Sequence, residues 1–195
     1  MKLSTITSFT IFLLSVNAIP SSVDRRKPCP TCKDLVKIKV EGAYDDDPIA
    51  GAFNYIKQAG GISSQSNYPY TDSVEPCRSN QTNKAGFLTI FSQIPPKSES
   101  ALTEAVATVG PIVCNMFAGT TNFATYSGSI FSDSDCDSED LDHSVVVVGY
   151  GSEYGRDYSL VKNSWGESWS ESGYFKIERG TNMCGIASKC SYPVV

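Results

Sequence analysis

Between residues 48 and 59, Ile49, Ala52, Phe53 and Ile56 recur at the three- and four-residue spacing of a helix with one apolar stripe. Asp47 stands where an N-cap belongs, and Pro48 suits a first helical turn. The acidic run Asp45-Asp46-Asp47 complements the helix dipole, and Gly60-Gly61 ends the segment. A second helical rhythm covers 98–109, with Ala101, Leu102, Ala105 and Val109 on its inner face and Gly110-Pro111 as its stop. Elsewhere the apolar runs are short and rich in β-branched and aromatic residues. Residues 86–91 form one strand candidate. The unbroken run Val145-Val146-Val147-Val148 behind His143 predicts a fully buried strand, closed at Gly149 and Gly151, and Tyr158-Ser159-Leu160-Val161-Lys162 returns beside it. No segment repeats.

The amino terminus has a different pattern. Residues 1–18 carry Lys2, an apolar stretch through Ile11-Phe12-Leu13-Leu14, and small or apolar residues at Val16-Asn17-Ala18. This is the make-up of a secretory signal peptide, and its apolar part is too short to span a bilayer. Residues 19–32 are rich in proline and charge and predict an extended leader. A net charge of -5 argues against nucleic acid or an anionic membrane surface as partner. Seven cysteines on a chain bound for an oxidising compartment imply disulfides, with at least one cysteine left free or bonded to another chain. Asn80-Gln81-Thr82 is an N-glycosylation sequon. Cys29-Pro30-Thr31-Cys32 has C-x-x-C spacing. One histidine and no second such pair leave too few soft ligands for a metal, however, and the flanking prolines suit a disulfide better than a redox dithiol. No cofactor is expected.

The candidate chemistry centres on the chain's single histidine. A hairpin joining the strand that starts at His143 to the one ending before Asn163 can set imidazole and carboxamide side by side. An amide oxygen accepting one ring N–H would fix the tautomer and leave the other nitrogen as a base. The stretches Asp142-His143-Ser144 and Asn163-Ser164-Trp165-Gly166 resemble the histidine and asparagine blocks of the papain/cathepsin family of cysteine peptidases, closest to the cathepsin L type. Further matching blocks are Gly60-Gly61-Ile62 with Asn67-Tyr68-Pro69-Tyr70, residues 105–112, Ser172-Gly173-Tyr174, and Cys184-Gly185-Ile186-Ala187-Ser188. The resemblance runs over 33–195.

It implies an α+β fold: an intact right lobe over 85–195, built as an antiparallel β-barrel with one helix, and a truncated helical left lobe over 33–84. Further strands are then expected at 111–117, 143–150, 158–164, 173–179 and 186–191. In a working relative a thiolate attacks the peptide carbonyl, a histidine protonates the leaving amine, and a glutamine helps hold the oxyanion. His143 matches that base, Asn163 its orienter, Trp165 the indole that shields their hydrogen bond, and Trp169 an aromatic wall on the leaving-group side. Lys189 matches the floor of the main specificity pocket, with Ser144 and Ile49 at its walls. Cys136 and Cys184 match a family bridge. Cys77 matches another half-cystine whose usual partner position is Ile38, so Cys29 or Cys32 is its candidate partner. Cys114 and Cys190 match no family bridge.

The family's Gln-Gly-x-Cys-Gly-Ser-Cys-Trp nucleophile block and its propeptide have no counterpart here. Ala43-Tyr44-Asp45-Asp46-Asp47 replaces a Gly-rich substrate-binding segment, and Ser170 stands where the family has glycine. The expectation is a secreted homologue, extracellular or in a lysosome-like vesicle, catalytically inactive, that binds a protein or peptide. Deletion of the family's central helix would then leave the 48–59 stripe uncovered as a binding patch. The alternatives are a cysteine-type endopeptidase whose nucleophile is supplied elsewhere or whose sequence is incomplete here, and an inhibitor or decoy of active relatives.

Overall fold

Asp47 and the glycine pair bracket the first helix as their chemistry requires. In the computed structural model, which describes residues 10–13, 36–39, 47–69 and 83–194, helix α1 spans Pro48–Gln58. The Asp47 carboxylate accepts from the Ala50 N–H at 3.1 Å. The Gly61 N–H donates back to the Ile56 carbonyl, with Gly60 at φ +67 and Gly61 at φ +126. Cys29, Cys32, Cys77 and Asn80 lie outside the described residues, as does the Ala43–Asp46 segment.

Two short strands, β1 (Thr10–Leu13) and β2 (Val36–Lys39), form an antiparallel ribbon. Because β1 falls inside the expected signal peptide, cleavage there would leave β2 without its partner. A second small pairing joins β3 (Ile62–Ser63) to β4 (Lys84–Gly86). The expected single strand over 86–91 is in fact divided: after β4 the chain bends at residues 87–89 and resumes as β5 (Ile90–Gln93) in a different sheet. Gly61 shows why the bend lies there. A Cβ on it would come within 2.7 Å of the Gly86 carbonyl and 2.9 Å of the Phe87 ring, so Phe87 lies on bare backbone.

Helix α2 (Glu99–Thr108) is capped by Ser98, whose hydroxyl accepts from the Ala101 N–H. Its buried face is Leu102, Ala105 and Val106. Val109, expected to face inward, is exposed, because the helix ends before it and Val106 completes the i, i+3, i+4 stripe. There follow β6 (Ile112–Met116), the short helix α3 (Thr121–Ala124), β7 (Ile130–Phe131), β8 (His143–Glu153), β9 (Arg156–Lys162), β10 (Tyr174–Glu178), a 3-10 turn at Met183–Gly185 and β11 (Lys189–Val194). The last strand begins three residues later than expected, since Ile186–Ser188 is still turn.

The main sheet has seven strands in the order β5-β11-β6-β8-β9-β10-β7. The sheet expected as an antiparallel β-barrel has two features that the apolar pattern does not reveal. β7 joins β10 in parallel, and among the described residues β5 and β7 are unpaired with each other at the two ends of the order. Ile112, Met116, Phe123, Val145, Val147, Val161, Phe175 and Ile177 fill the inner face, against Leu102 and Val106 of α2.

The expected bare stripe on α1 is also corrected. Ile49, Ala52, Phe53 and Ile56 are each at most 1% exposed, packed on Val113 of β6 with Phe91 and Leu88 alongside. Phe53 and Phe91 stack at 5.3 Å. The outer face of the sheet covers the stripe, and each large apolar side chain buried this way contributes about 1.5–3 kcal/mol.

Candidate functional site

His143 is the first residue of β8, opposite Met116 of β6. The strand entry is held at Asp142, whose N–H donates to the Met116 carbonyl and whose carboxylate accepts from the Ala118 N–H at 2.7 Å. β8 and β9 are joined by the turn at Tyr154-Gly155, both at positive φ, the backbone that two-residue hairpins favour. Their register places Lys162 opposite Val146, with an irregularity between Val147 and Gly149. Asn163 therefore emerges just beyond the end of β9, tied down by its N–H to the Gly173 carbonyl at 2.8 Å.

The result is a histidine–asparagine pair. His143 Nε2 and Asn163 Oδ1 lie 2.8 Å apart, and the same oxygen accepts from the Ser164 N–H at 2.7 Å. Because the amide oxygen can only accept, the imidazole proton sits on Nε2, which donates, and Nδ1 keeps its lone pair. Asn163 is 3% exposed, and its Nδ2 is buried without a hydrogen-bond partner, a cost that its orienting role imposes. Trp165 lies over the imidazole with ring centroids 5.1 Å apart, and its outer face is open to solvent. Trp169 meets Trp165 edge-on at 5.2 Å and donates its indole N–H to the Ala124 carbonyl.

Phe123, which the sequence reading did not single out, is the hub beneath both indoles. Its ring is 5.4 Å from each and 4.9 Å from Phe175. The available signal was Thr120, whose hydroxyl accepts from the Phe123 N–H and starts a helix in an otherwise polar stretch.

The expected pocket residues are placed differently from one another. Ile49 is on the buried face of α1, and Ser144 is buried, donating its hydroxyl to Asn115 Oδ1 at 2.6 Å. Neither of them forms an open wall. Lys189 is exposed at the start of β11, opposite Asn115, so a row Ser144–Asn115–Lys189 crosses three strands. Ser170 has a left-handed backbone at φ +47, the region that favours glycine, and its hydroxyl is buried without a partner among the described residues. Cys136 bonds to Cys184, and Cys114 bonds to Cys190, so every cysteine among the described residues is in a disulfide. Among the described residues no three His, Cys, Asp or Glu side chains gather as metal ligands, and no helix is long and apolar enough to cross a membrane.

Burial pushes the His143 imidazole below its ordinary 6.5, partly offset by the Asn163 hydrogen bond and the Asp142 charge. Above 6.5 the imidazole is neutral in both the folded and the unfolded chain and adds no pH dependence. As pH falls below 6.5 the unfolded chain takes up the proton first, so stability drops until the folded pKa is passed. Urea denaturation across this window should show His143→Gln with a shallower acid slope than the parent; equal slopes would mean that the imidazole is not held neutral.

The arrangement has relatives. Residues 20–194 match the family model described as papain family cysteine protease. The chain is 44% identical to cathepsin L of Sarcophaga peregrina over 146 residues, 74% of this chain and 43% of that protein. It is 45% identical to cathepsin L2 of Homo sapiens over 152 residues, 75% of this chain and 46% of that protein. The solved structure of digestive procathepsin L 3 from the Tenebrio molitor larval midgut superposes with a TM-score of 0.69 at 42% identity, covering 74% of this chain and 47% of that one. The chain thus spans about half the length of the relatives it matches. Within that span, the family match and the paired histidine and asparagine agree: this chain belongs to the papain family of cysteine proteases.

Proposed function

We propose that this chain is a secreted papain-family protein that does not hydrolyse peptides by itself and acts by binding a protein or peptide at the His143 face. The observation that carries the reading is the chemistry of the cysteines. Those among the described residues are disulfide-bonded, so none of them offers His143 Nδ1 a thiol to deprotonate. A base and its orienter without a nucleophile retain little of the rate enhancement, because the members of such a site act as one unit. The support for binding is Trp165, 41% exposed on top of the imidazole. An aromatic anchor beside an unengaged ring nitrogen is the kind of group that dominates protein interfaces. The signal-like 1–18 segment and the disulfides support entry to the secretory pathway, with an extracellular or lysosome-like destination. The test is incubation with a fluorogenic dipeptide substrate and with a thiol-directed covalent peptidase inhibitor. Turnover at the buffer rate and no adduct on Cys29, Cys32 or Cys77 are expected; an adduct accompanied by turnover would overturn the reading.

A second reading is favoured by one feature. The Nε2–Oδ1 contact of 2.8 Å holds the ring proton on Nε2 and leaves the Nδ1 lone pair free to act as a base, which suits a cysteine-type endopeptidase whose thiol comes from another polypeptide. Activity that appears only when a second component is added would select it.

A further inference from the structure

We propose that the Cys114–Cys190 disulfide is a latch across the narrowest interior seam of the main sheet, whose opening frees β11 and β5 from the strands that carry His143 and Asn163. The β6–β11 ladder covers only Val113–Asn115 against Lys189–Ser191. The next two ladders toward the site are longer: β6 pairs with β8 along its whole length, and β8 with β9 from Val146 to Glu153. The bond sits at the central pair of the short ladder, where Cys190 lies directly opposite Cys114.

The seam is closed from two sides. On the inner face the two cysteines are 0% and 2% exposed within the main core. On the outer face α1 laps across it, touching Phe91 of β5 and Val113 of β6. One residue along from the latch runs the row Lys189–Asn115–Ser144, and Ser144 is bonded in sequence to His143. The seam therefore lies one strand, β6, away from the strand that carries His143. The other disulfide differs in exposure, since Cys136 is only half-buried.

Opening is a two-electron reduction by a dithiol. One thiolate of the reagent attacks a protein sulfur and expels the other as thiolate, which takes up a proton. The second reagent thiol then resolves the mixed disulfide, leaving two protein thiols and the oxidised cyclic reagent. Because both sulfurs of the latch are buried, the reagent must wait for the seam to open.

The test treats the folded protein with increasing dithiothreitol, traps thiols by alkylation, and follows backbone hydrogen exchange. Cys136–Cys184 should be reduced first. The rate for Cys114–Cys190 should level off as reagent is raised, and its loss should speed exchange at least tenfold in 90–93 and 189–194 while 156–162 and 174–178 stay protected. Early reduction of Cys114–Cys190 in proportion to reagent, unchanged exchange in 189–194 after its loss, or equal acceleration in every strand would each overturn the proposal. The double variant Cys114→Ala/Cys190→Val should show the same local pattern without reductant. Its failure to fold would also contradict a latch, which requires the β6-β8-β9-β10 block to stand without it.

Discussion

Replacing Phe123 with alanine should lower stability by about 3–5 kcal/mol. The ring is 0% exposed and touches Phe131, Trp165, Trp169 and Phe175 at centroid distances between 4.9 and 5.4 Å. It reaches this place because Thr120 caps the one-turn helix α3 and turns its side chain into the sheet. Its neighbours belong to separate segments, so removal leaves a cavity bordered by side chains that cannot all move inward together. A loss of that size is a large part of the roughly 5–15 kcal/mol that holds a domain of this kind folded. The effect should also reach the site, since Trp165 rests on Phe123 and His143 rests on Trp165. Urea denaturation with the imidazole resonance as a second probe would check both parts. A loss under about 1 kcal/mol would mean that the aromatic cluster is not the support described.

Removing the bridge between Cys136 and Cys184, as the double alanine variant, should cost about 3 kcal/mol. The bond closes a segment with a sequence separation of 48, and on chain entropy alone a loop of that size is worth about 4 kcal/mol. It is nested inside the 76-residue separation closed by Cys114–Cys190, which already confines the unfolded chain, and this lowers the figure. The folded side of the balance is specific as well. Gly185, at φ +70, lies against Leu141 and the Ser138 carbonyl so closely that a Cβ would come within 2.6 Å of both, so the bridge holds this loop against the 3-10 turn. That loop leads directly into Asp142 and His143. Thermal unfolding of the variant with Cys114–Cys190 intact is the check, and an unchanged midpoint would count against this role.

The parts of the fold legible in the sequence are those fixed by near neighbours. α1 could be read from Asp47, Pro48 and Gly60-Gly61, since capping and termination act within a turn. The His143–Asn163 pair could be read because one hairpin carries both residues, so a single register decides their meeting. What escaped depends on partners far along the chain. Cys114 faces Cys190 only because β6 and β11 align in one register, which neither strand encodes alone. The split of residues 86–91 follows from two different pairing partners, β3 for Gly86 and β11 for Ile90, while hydrophobic pattern alone shows one apolar run. The cover over Ile49, Phe53 and Ile56 was missed for the same reason: an apolar stripe states a need for burial without naming the surface that meets it.

The most direct measurement is the NMR titration of the imidazole, unambiguous because His143 is the only histidine. A neutral base buried under Trp165 and donating to Asn163, with no thiolate at its free nitrogen, should titrate below 6.5 and be unaffected by alkylation of the protein's thiols. A midpoint above 6.5 that falls when the thiols are alkylated would place a thiolate against His143 and contradict the account.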